Sequence, residues 1–223
     1  MSSTSSHVHF YIKQDIIPGA SHSDILVLSC HLSDVHRVLP GFFERVDSQH
    51  SVVGLAQVHQ TRHVMKYLAI ASRTKVIIID MSLQGNTKKK KTGFLALQNF
   101  LNDDMVSKSA FHMDRLATSL FQDHQLRIDN AKDLFSSITT GSRGSPEALK
   151  GILGGRPFLN DKSLTSLLDN PCGVDTKKKC ALQAWAAYYG ALKMENRLAS
   201  KASINTSMLN QSVSLSFNFT SFY

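Results

Sequence analysis

Three apolar runs follow one another closely in the first half of the chain: VVGLAQV at Val52–Val58, VMKYLAIA at Val64–Ala71 and VIIIDM at Val76–Met81. Each run contains β-branched residues and has the length of a single strand. Only a few residues separate one run from the next, and connections this short join neighbouring antiparallel strands. The stretch therefore predicts a three-stranded β-meander.

Helical and extended patterns alternate on both sides of this meander. Before it, we predict two short strands and a helix that Pro40 breaks or kinks: Val8–Ile12, Ile25–Ser29 and Ser33–Val46. After it, we predict an exposed basic loop followed by helix, strand, helix and helix: Gln84–Thr92, Phe94–Leu101, Val106–Phe111, His112–Gln122 and Ala131–Ile138. This alternation predicts an α/β fold in which helices flank a central mixed sheet.

The last third of the chain contains two further patterns. Ser145 and Pro146 have the residue types of an N-cap and a first helical position. A long helix over Ala181–Leu198 has a stripe of large apolar residues that we expect to be buried: Leu182, Trp185, Tyr189 and Leu192. Near the end, four apolar residues alternate with Ser and Asn, which predicts a strand with one apolar face: Val213, Leu215, Phe217 and Phe219.

Composition excludes several classes of protein. Of the 223 residues, 42% are hydrophobic, so the chain can bury a core and is not wholly disordered. The net charge of +8 favours anionic partners, above all nucleic acid. The sequence contains neither a long apolar run nor a secretory signal, which predicts no membrane association. Three scattered cysteines indicate a reducing interior, so we expect a cytoplasmic or nuclear location.

The order and local sequence of these segments resemble the ribonuclease D-like 3′–5′ exonucleases of the DEDD superfamily, which have an RNase H-like fold. The three meander runs are similar to the first three core strands of that family. Later similarities are the helix at Leu97–Asp103, a lysine at Lys108, an aspartate at Asp133 and a final motif at Ala184–Tyr189. The resemblance implies an RNase H-like mixed central sheet flanked by helices over residues 25–201. Residues 1–24 are then a tail with a short strand, and residues 202–223 an extension with a strand.

The catalytic positions of the family are not acidic in this chain. Family enzymes hold two divalent metals with four carboxylates, of which the first two form an acid-x-acid pair on one strand. The resemblance places these four positions at Ala56, Val58, Leu116 and Tyr189. No two acidic residues of the chain lie two positions apart, so a shift of register does not restore the pair.

The resemblance therefore implies a catalytically inactive pseudo-exonuclease, without bound metal or another cofactor. Among members of the family, the most similar in this respect are inactive exonuclease-domain proteins that serve as RNA adaptors or dimeric scaffolds in small-RNA pathways. We expect a protein-interaction scaffold or RNA-binding adaptor in RNA metabolism. The alternative is an active 3′–5′ exoribonuclease, or another hydrolase, with displaced metal ligands.

Other arrangements of reactive residues are weaker evidence for a catalytic or metal-binding site. The pairs His7/His9 and His59/His63 have spacings found in metal sites, but Gln60 replaces the glutamate that a zincin needs. Exposed or hydrogen-bonded histidines are the simpler interpretation. The sequence has no G-x-S-x-G motif, and the glycines of KGILGGRP lack the ending of a phosphate-binding loop.

Two lysine runs are candidate RNA contacts, because their charges can bind phosphates irrespective of base sequence. The first comprises Lys88, Lys89, Lys90 and Lys91 in the predicted loop; the second comprises Lys177, Lys178 and Lys179 at the start of the long helix. A solvated loop or a nuclear-localisation patch is an equal interpretation of the first run. The resemblance places the second run near the ancestral active-site cleft. Any RNA binding is expected to be weak to moderate, poorly sequence-specific and salt-sensitive.

Two apolar features also have alternative interpretations. Trp185 and Tyr189 could stack nucleobases or fill the core, and their stripe favours the core. The predicted strand Val213–Phe219 could join its own sheet, a second copy of the chain or a different protein. Because it lies beyond the resemblance and its polar residues are uncharged, we expect it to contact another protein or a second copy.

Overall fold

The computed structural model describes residues 10–12, 24–43, 51–61, 64–82, 87–137, 141–153 and 176–216, with the backbone alone for residues 10, 12, 43, 61, 87–90 and 197–216. Within this part of the chain, seven strands form one sheet. They are β1 Phe10–Ile12, β2 Ile25–His31, β3 Ser51–Thr61, β4 Val64–Ala71, β5 Lys75–Asp80, β6 Val106–Ala110 and β7 Ala131–Asp133.

The strands lie in the order β1-β2-β5-β4-β3-β6-β7. β3, β4 and β5 form the predicted antiparallel meander, β2 is parallel to β5, and β6 and β7 continue parallel to β3. β1 is antiparallel to β2. A meander extended by two parallel strands beside its first strand is the arrangement of the RNase H-like fold. The predicted fold class, a mixed central sheet flanked by helices, is confirmed.

Helices cover both faces of the sheet. The described helices are α1 Val35–Phe43, α2 Thr87–Leu101, α3 Met113–His124, α4 Pro146–Leu153 and α5 Thr176–Ser216. One core layer lies under α4 and α5, and a second lies under α1, α2 and α3. Burial on both faces explains why β4 and β5 are nearly continuous apolar runs rather than alternating ones. None of the helices in the described residues is long and apolar enough to cross a bilayer.

The helix predicted for Ala131–Ile138 is wrong. Residues 131–133 form β7, which pairs in parallel with Lys108–Ala110 of β6, and a short 3-10 turn follows at Phe135–Ser137. Pairing with a neighbouring strand has overridden the local preference, as tertiary contacts often do for a segment this short. β7 extends the sheet and places Asp133 beside Ala110, where β6 also ends.

The basic loop predicted for Gln84–Thr92 is wrong from Thr87 onward, because Thr87–Leu101 is one helix. Lysine is a good helix former, so the lysine run extends the amphipathic segment that follows it instead of interrupting it. Pro40 lies inside α1, and the predicted helix end at Val46 lies outside the described residues. The N-cap prediction is confirmed, because the Ala148 backbone N–H donates to Ser145 Oγ over 3.2 Å and Pro146 begins α4.

The C-terminal strand prediction is wrong for its described part. The backbone of Val213 and Leu215 belongs to α5, whereas Phe217 and Phe219 lie outside the described residues. Once a helix has formed, each added residue gains a backbone hydrogen bond without a new nucleation cost. Residues two apart in a helix do not share a face, so Val213 and Leu215 do not form the apolar surface that a strand would give them.

Candidate functional site

The first two positions at which the resemblance expects acids lie on β3, under α5. Ala56 is 7% exposed and Val58 1% exposed, and both belong to the core layer that contains Trp185 and Tyr189. Across the sheet, Ala56 is paired in register with Ala69 and Val58 with Tyr67. Divalent cations such as magnesium need oxygen ligands, which alanine and valine side chains do not have. This face of β3 is therefore packed as core.

The third position, Leu116, lies on α3. Its side chain is buried in the other core layer, beneath α1, α2 and α3. Asp114, one of the few acids near this position, is exposed on the same helix. Leu116 and Ala56 nevertheless line one cavity, because α3 lies beside the edge of β3.

This cavity has a volume of about 510 Å³ and lies between β3, α3 and α5. It exists because β6 pairs with β3 only along Ser51–Gly54, after which the chain turns away into α3. From Leu55 to His59 the edge of β3 thus faces the cavity rather than a strand. α5 contributes Gln183, whose side chain is buried.

Tyr189 has a different role from the one that the resemblance suggests. It stacks on Trp185, with ring centroids 5.7 Å apart and planes 20° apart, and the Trp185 indole N–H donates to the Arg73 carbonyl oxygen over 3.4 Å. Gln183, not Tyr189, is the α5 residue beside Ala56 at the cavity. Sequence reasoning missed Gln183, although an amide within the apolar run Cys180–Tyr189 was a usable signal.

Arg143 binds two carboxylates at the rim of this region. Its Nη2 atom donates to Asp114 Oδ1 over 2.7 Å and to Asp133 Oδ2 over 2.6 Å. Although burial acts in the opposite direction, a backbone hydrogen bond at Arg115 and the Arg143 guanidinium lower the pKa of Asp114. Both acids are thus ion-pair partners of one arginine.

The histidines at the cavity are held in structural contacts. Burial, and to a smaller extent the nearby charges of Arg115 and Arg143, lowers the pKa of His112. The His112 ring also packs against the Phe135 ring, with the two ring centroids 5.3 Å apart. His59 Nε2 lies 3.0 Å from Ser119 Oγ, and that hydroxyl donates to the Arg115 carbonyl oxygen. With its proton given to a carbonyl, Ser119 accepts from His59 and is not poised as a nucleophile.

The second lysine run divides into two kinds of side chain. Lys177 Nζ donates to Ser29 Oγ over 3.0 Å and lies 5.3 Å from the centroid of the Tyr67 ring. Lys178 and Lys179 are exposed. Of the first run, Lys91 is exposed on α2, and the side chains of Lys88, Lys89 and Lys90 lie outside the described ones. The two runs lie on different helices, α2 and α5, which pack against opposite faces of the sheet.

Metal-binding residue types do not cluster in the part of the chain that the structure describes. There, no group of three or more His, Cys, Asp or Glu side chains is close enough to hold an ion. His7, His9 and His63 lie outside the described residues. Cys30 and Cys180 are buried free thiols.

Comparison with known proteins gives similarity in structure but not in sequence. No protein-family model matches the chain, and no curated protein matches it in sequence. The Aedes aegypti Nibbler EXO domain is 15% identical, with a TM-score of 0.49, over 76% of this chain and 83% of that one. The EXD2 exonuclease domain soaked in Mn and Mg is 13% identical, with a TM-score of 0.41, over 88% and 98%.

Escherichia coli RNase D, an exoribonuclease involved in structured RNA processing, is 11% identical, with a TM-score of 0.47. The match covers 86% of this chain and 49% of RNase D, so the chain spans about half the length of that enzyme. These neighbours are exonuclease domains, as the sequence resemblance implies. At such identities and scores the similarity concerns the fold alone.

Proposed function

We propose that this protein is a catalytically inactive exonuclease-like domain that acts as a scaffold or RNA-binding adaptor in RNA metabolism. The observation that carries the proposal is the burial of Ala56, Val58 and Leu116, which have no metal-binding atoms, at positions where the resemblance expects carboxylates. Two-metal hydrolysis depends on those oxygen ligands.

The remaining acids near the cavity support the same proposal. Asp114 and Asp133 are the carboxylates that displaced metal binding would use, and both accept hydrogen bonds from Arg143. A guanidinium between two carboxylates offsets half of their negative charge and occupies oxygens that a divalent cation would need. An active enzyme with displaced ligands would have to move Arg143 first.

The RNA part of the proposal is supported by charge and by the fold of the neighbours. The chain carries a net charge of +8, and its exposed lysines can contact phosphates. Nibbler, EXD2 and RNase D are named as exonuclease domains or as an exoribonuclease, whose substrates are nucleic acids. An adaptor that keeps the fold can keep an affinity for the same polymer without cleaving it.

A nuclease assay tests the absence of catalysis. The purified protein is incubated with 3′-extended, 5′-labelled RNA in magnesium or manganese, with E. coli RNase D as the active reference. We expect intact RNA and no heat of metal binding in calorimetry. Stepwise 3′ shortening that disappears in Asp114→Asn or Asp133→Asn, but persists in the remote variant Asp24→Asn, supports the alternative of an active enzyme.

The scaffold part of the proposal concerns the C-terminal region. Val213, Leu215, Phe217 and Phe219 are apolar residues beyond the span of the resemblance, and burying such side chains is favourable by roughly 1.5–3 kcal/mol each. Deleting residues 203–223 should change the oligomeric state in analytical ultracentrifugation while leaving a folded domain. If the truncated protein instead unfolds while its state of association at matched concentration stays the same, these residues belong to the core of the domain.

A further inference from the structure

Two lysine ammonium groups approach the ring of one tyrosine on β4. This ring lies toward the end of the sheet at which the neighbouring strands β3 and β5 finish. Lys66 Nζ lies 5.2 Å and Lys177 Nζ 5.3 Å from the centroid of the Tyr67 ring. Tyr67 is itself buried, whereas both lysines are partly exposed. The ring therefore positions two cations that solvent can still reach.

Different elements hold the two lysines. In the pairing of β3 with β4, Val58 is opposite Tyr67 and His59 is opposite Met65, so Lys66 has no partner and forms a bulge. Bulges redirect a side chain out of the regular alternation. Lys177 reaches the same ring from the first turn of α5 and donates to Ser29 Oγ on β2 over 3.0 Å.

The positive charge of this lysine pair is not neutralised within the described residues. The ion pairs there involve His31, Lys132 and Arg143, but neither Lys66 nor Lys177. Asp80 of β5 is in register with Tyr67. Its carboxylate accepts the Ser82 backbone N–H and lies 3.9 Å from His31 Nδ1. Each ammonium group has three donors, and Lys177 uses one of them on Ser29.

The position of the pair links it to the ancestral site. Tyr67 is the register partner of Val58, which stands at the second acid position, and side chains opposite each other in antiparallel strands are close neighbours. In a metal-dependent nuclease, cations at this edge balance the charge of the phosphate backbone. Here Lys66 and Lys177 bring positive charge to the ring of the residue paired with Val58.

We propose that Lys66 and Lys177 form a metal-independent binding site for a phosphodiester group of single-stranded nucleic acid. This inference rests on the proposed function, because it supplies the contact by which an inactive domain holds its polymer. The two ammonium groups bind phosphate oxygens, and Tyr67 and Ser29 keep them in place. Lys178 and Lys179 continue the positive surface along α5 and add weaker, screened attraction.

Fluorescence anisotropy in low-salt buffer containing EDTA tests the site, with fluorescein-labelled oligo(U) and oligo(dT) as the probes. The double variant Lys66→Met, Lys177→Met keeps the aliphatic packing over Tyr67 and removes both charges. We expect about tenfold weaker binding of oligo(U), and a salt dependence reduced by about 1.4 in the slope of log K against log salt, since each single-strand phosphate contact contributes about 0.7. A similar loss with oligo(dT) assigns the site to the backbone rather than to the ribose.

Three controls make the result decisive. Lys75→Met removes a lysine from the opposite end of β5 and should leave binding unchanged, and Lys177→Arg keeps the charge and should retain most of the affinity. Thermal melts establish that each variant is folded. Equal affinity and slope for the double variant and the parent chain, or binding that appears only when magnesium is added, would overturn the proposal. Shortened RNA on a gel of parallel samples that contain magnesium in place of EDTA contradicts the proposed function instead, so the two failures are distinguishable.

Discussion

Gly54 of β3 lies against the backbone of Ala184 in α5, so closely that a Cβ atom on the glycine would stand 1.9 Å from the Ala184 carbonyl oxygen. The same atom would stand 2.3 Å from the Tyr188 backbone nitrogen. Only glycine allows this approach. The contact fixes how closely α5 crosses β3 and thereby places Gln183 beside Ala56 at the cavity.

Gly54→Ala should destabilise the protein by about 1–3 kcal/mol or more, because the obstructing atoms belong to backbone and cannot rotate away. Urea unfolding followed by circular dichroism measures the change. Gly41→Ala is the matched control: it lies in α1, has no atom within 4 Å of its new Cβ, and should be neutral or more stable by up to about 1 kcal/mol. Equal stability of the two variants contradicts the close crossing.

Trp185→Ala should cost about 3–5 kcal/mol, because it empties a large buried site and removes the ring that stacks on Tyr189. Trp185→Phe keeps an aromatic ring but loses the donor to the Arg73 carbonyl, so its cost should be smaller. Chemical denaturation gives both values. Leu95→Ala, at a side chain that is 61% exposed, should change stability by no more than about 0.5 kcal/mol. A tryptophan that acts mainly in base stacking would give a small stability change and a large loss of RNA affinity.

Cys30 and Cys180 should not react with thiol reagents in the folded protein. Burial raises the pKa of Cys30 to about 12, with a contribution from Asp34, and burial raises the pKa of Cys180 to about 12. Thiolate, the reactive form, is then scarce near neutral pH. In a Cys172→Ser background, titration with Ellman's reagent should detect no thiol in the native state and both thiols in denaturant. Rapid native labelling would show that the core around one of them opens.

Lys108 should make stability rise with pH in the alkaline range. Its side chain is enclosed in the core, donates to the Asp103 carbonyl oxygen and lies 5.8 Å from the Phe100 ring. Burial lowers the pKa of Lys108 below 10.5, although Asp103, Asp129 and Asp104 oppose this shift. Between the folded-state pKa and 10.5 the unfolded chain binds more protons, so unfolding becomes less favourable as pH rises.

Lys108→Met removes that titration. The difference in unfolding free energy between the parent chain and this variant should be flat below the folded-state pKa and then increase in favour of the parent as pH approaches 10.5. Parallel denaturation series across that range measure it. A constant difference contradicts a depressed pKa in the folded state.

The meander could be predicted from sequence because β-branched runs with short connections allow few other structures. β4 was predicted to the residue, and its neighbours to within a few. β7 could not, because a segment of three residues, two of them exposed, carries no periodicity and becomes a strand only by pairing with β6. The C-terminal alternation was misleading, since a period of two over a few residues is outweighed by a helix that continues from upstream.

The candidate site was predicted only in part. Ala56 and Leu116 do line one cavity, but the partner from α5 is Gln183, which follows from where Gly54 lets the helix cross the sheet. Spacing along a single sequence does not contain that crossing point. The lysine pair at Tyr67 could not be predicted for a similar reason. Lys66 and Lys177 are 111 positions apart, and only the bulge in β4 and the start of α5 bring both to the same ring.

The burial of Ala56, Val58 and Leu116 also restricts which sequences can descend from this one. A lone carboxylate introduced at any of these positions enters close-packed core without a cation to balance it, and an unpaired buried charge costs several kcal/mol. Natural domains have only about 5–15 kcal/mol of stability to lose. On the proposed function, carboxylates at these positions would have to be introduced together with the cation that balances them, because each alone destabilises the fold, whereas the lysines at Tyr67 could change one at a time. Affinity for a polymer could then change gradually, but hydrolysis at these positions would require several mutations at once.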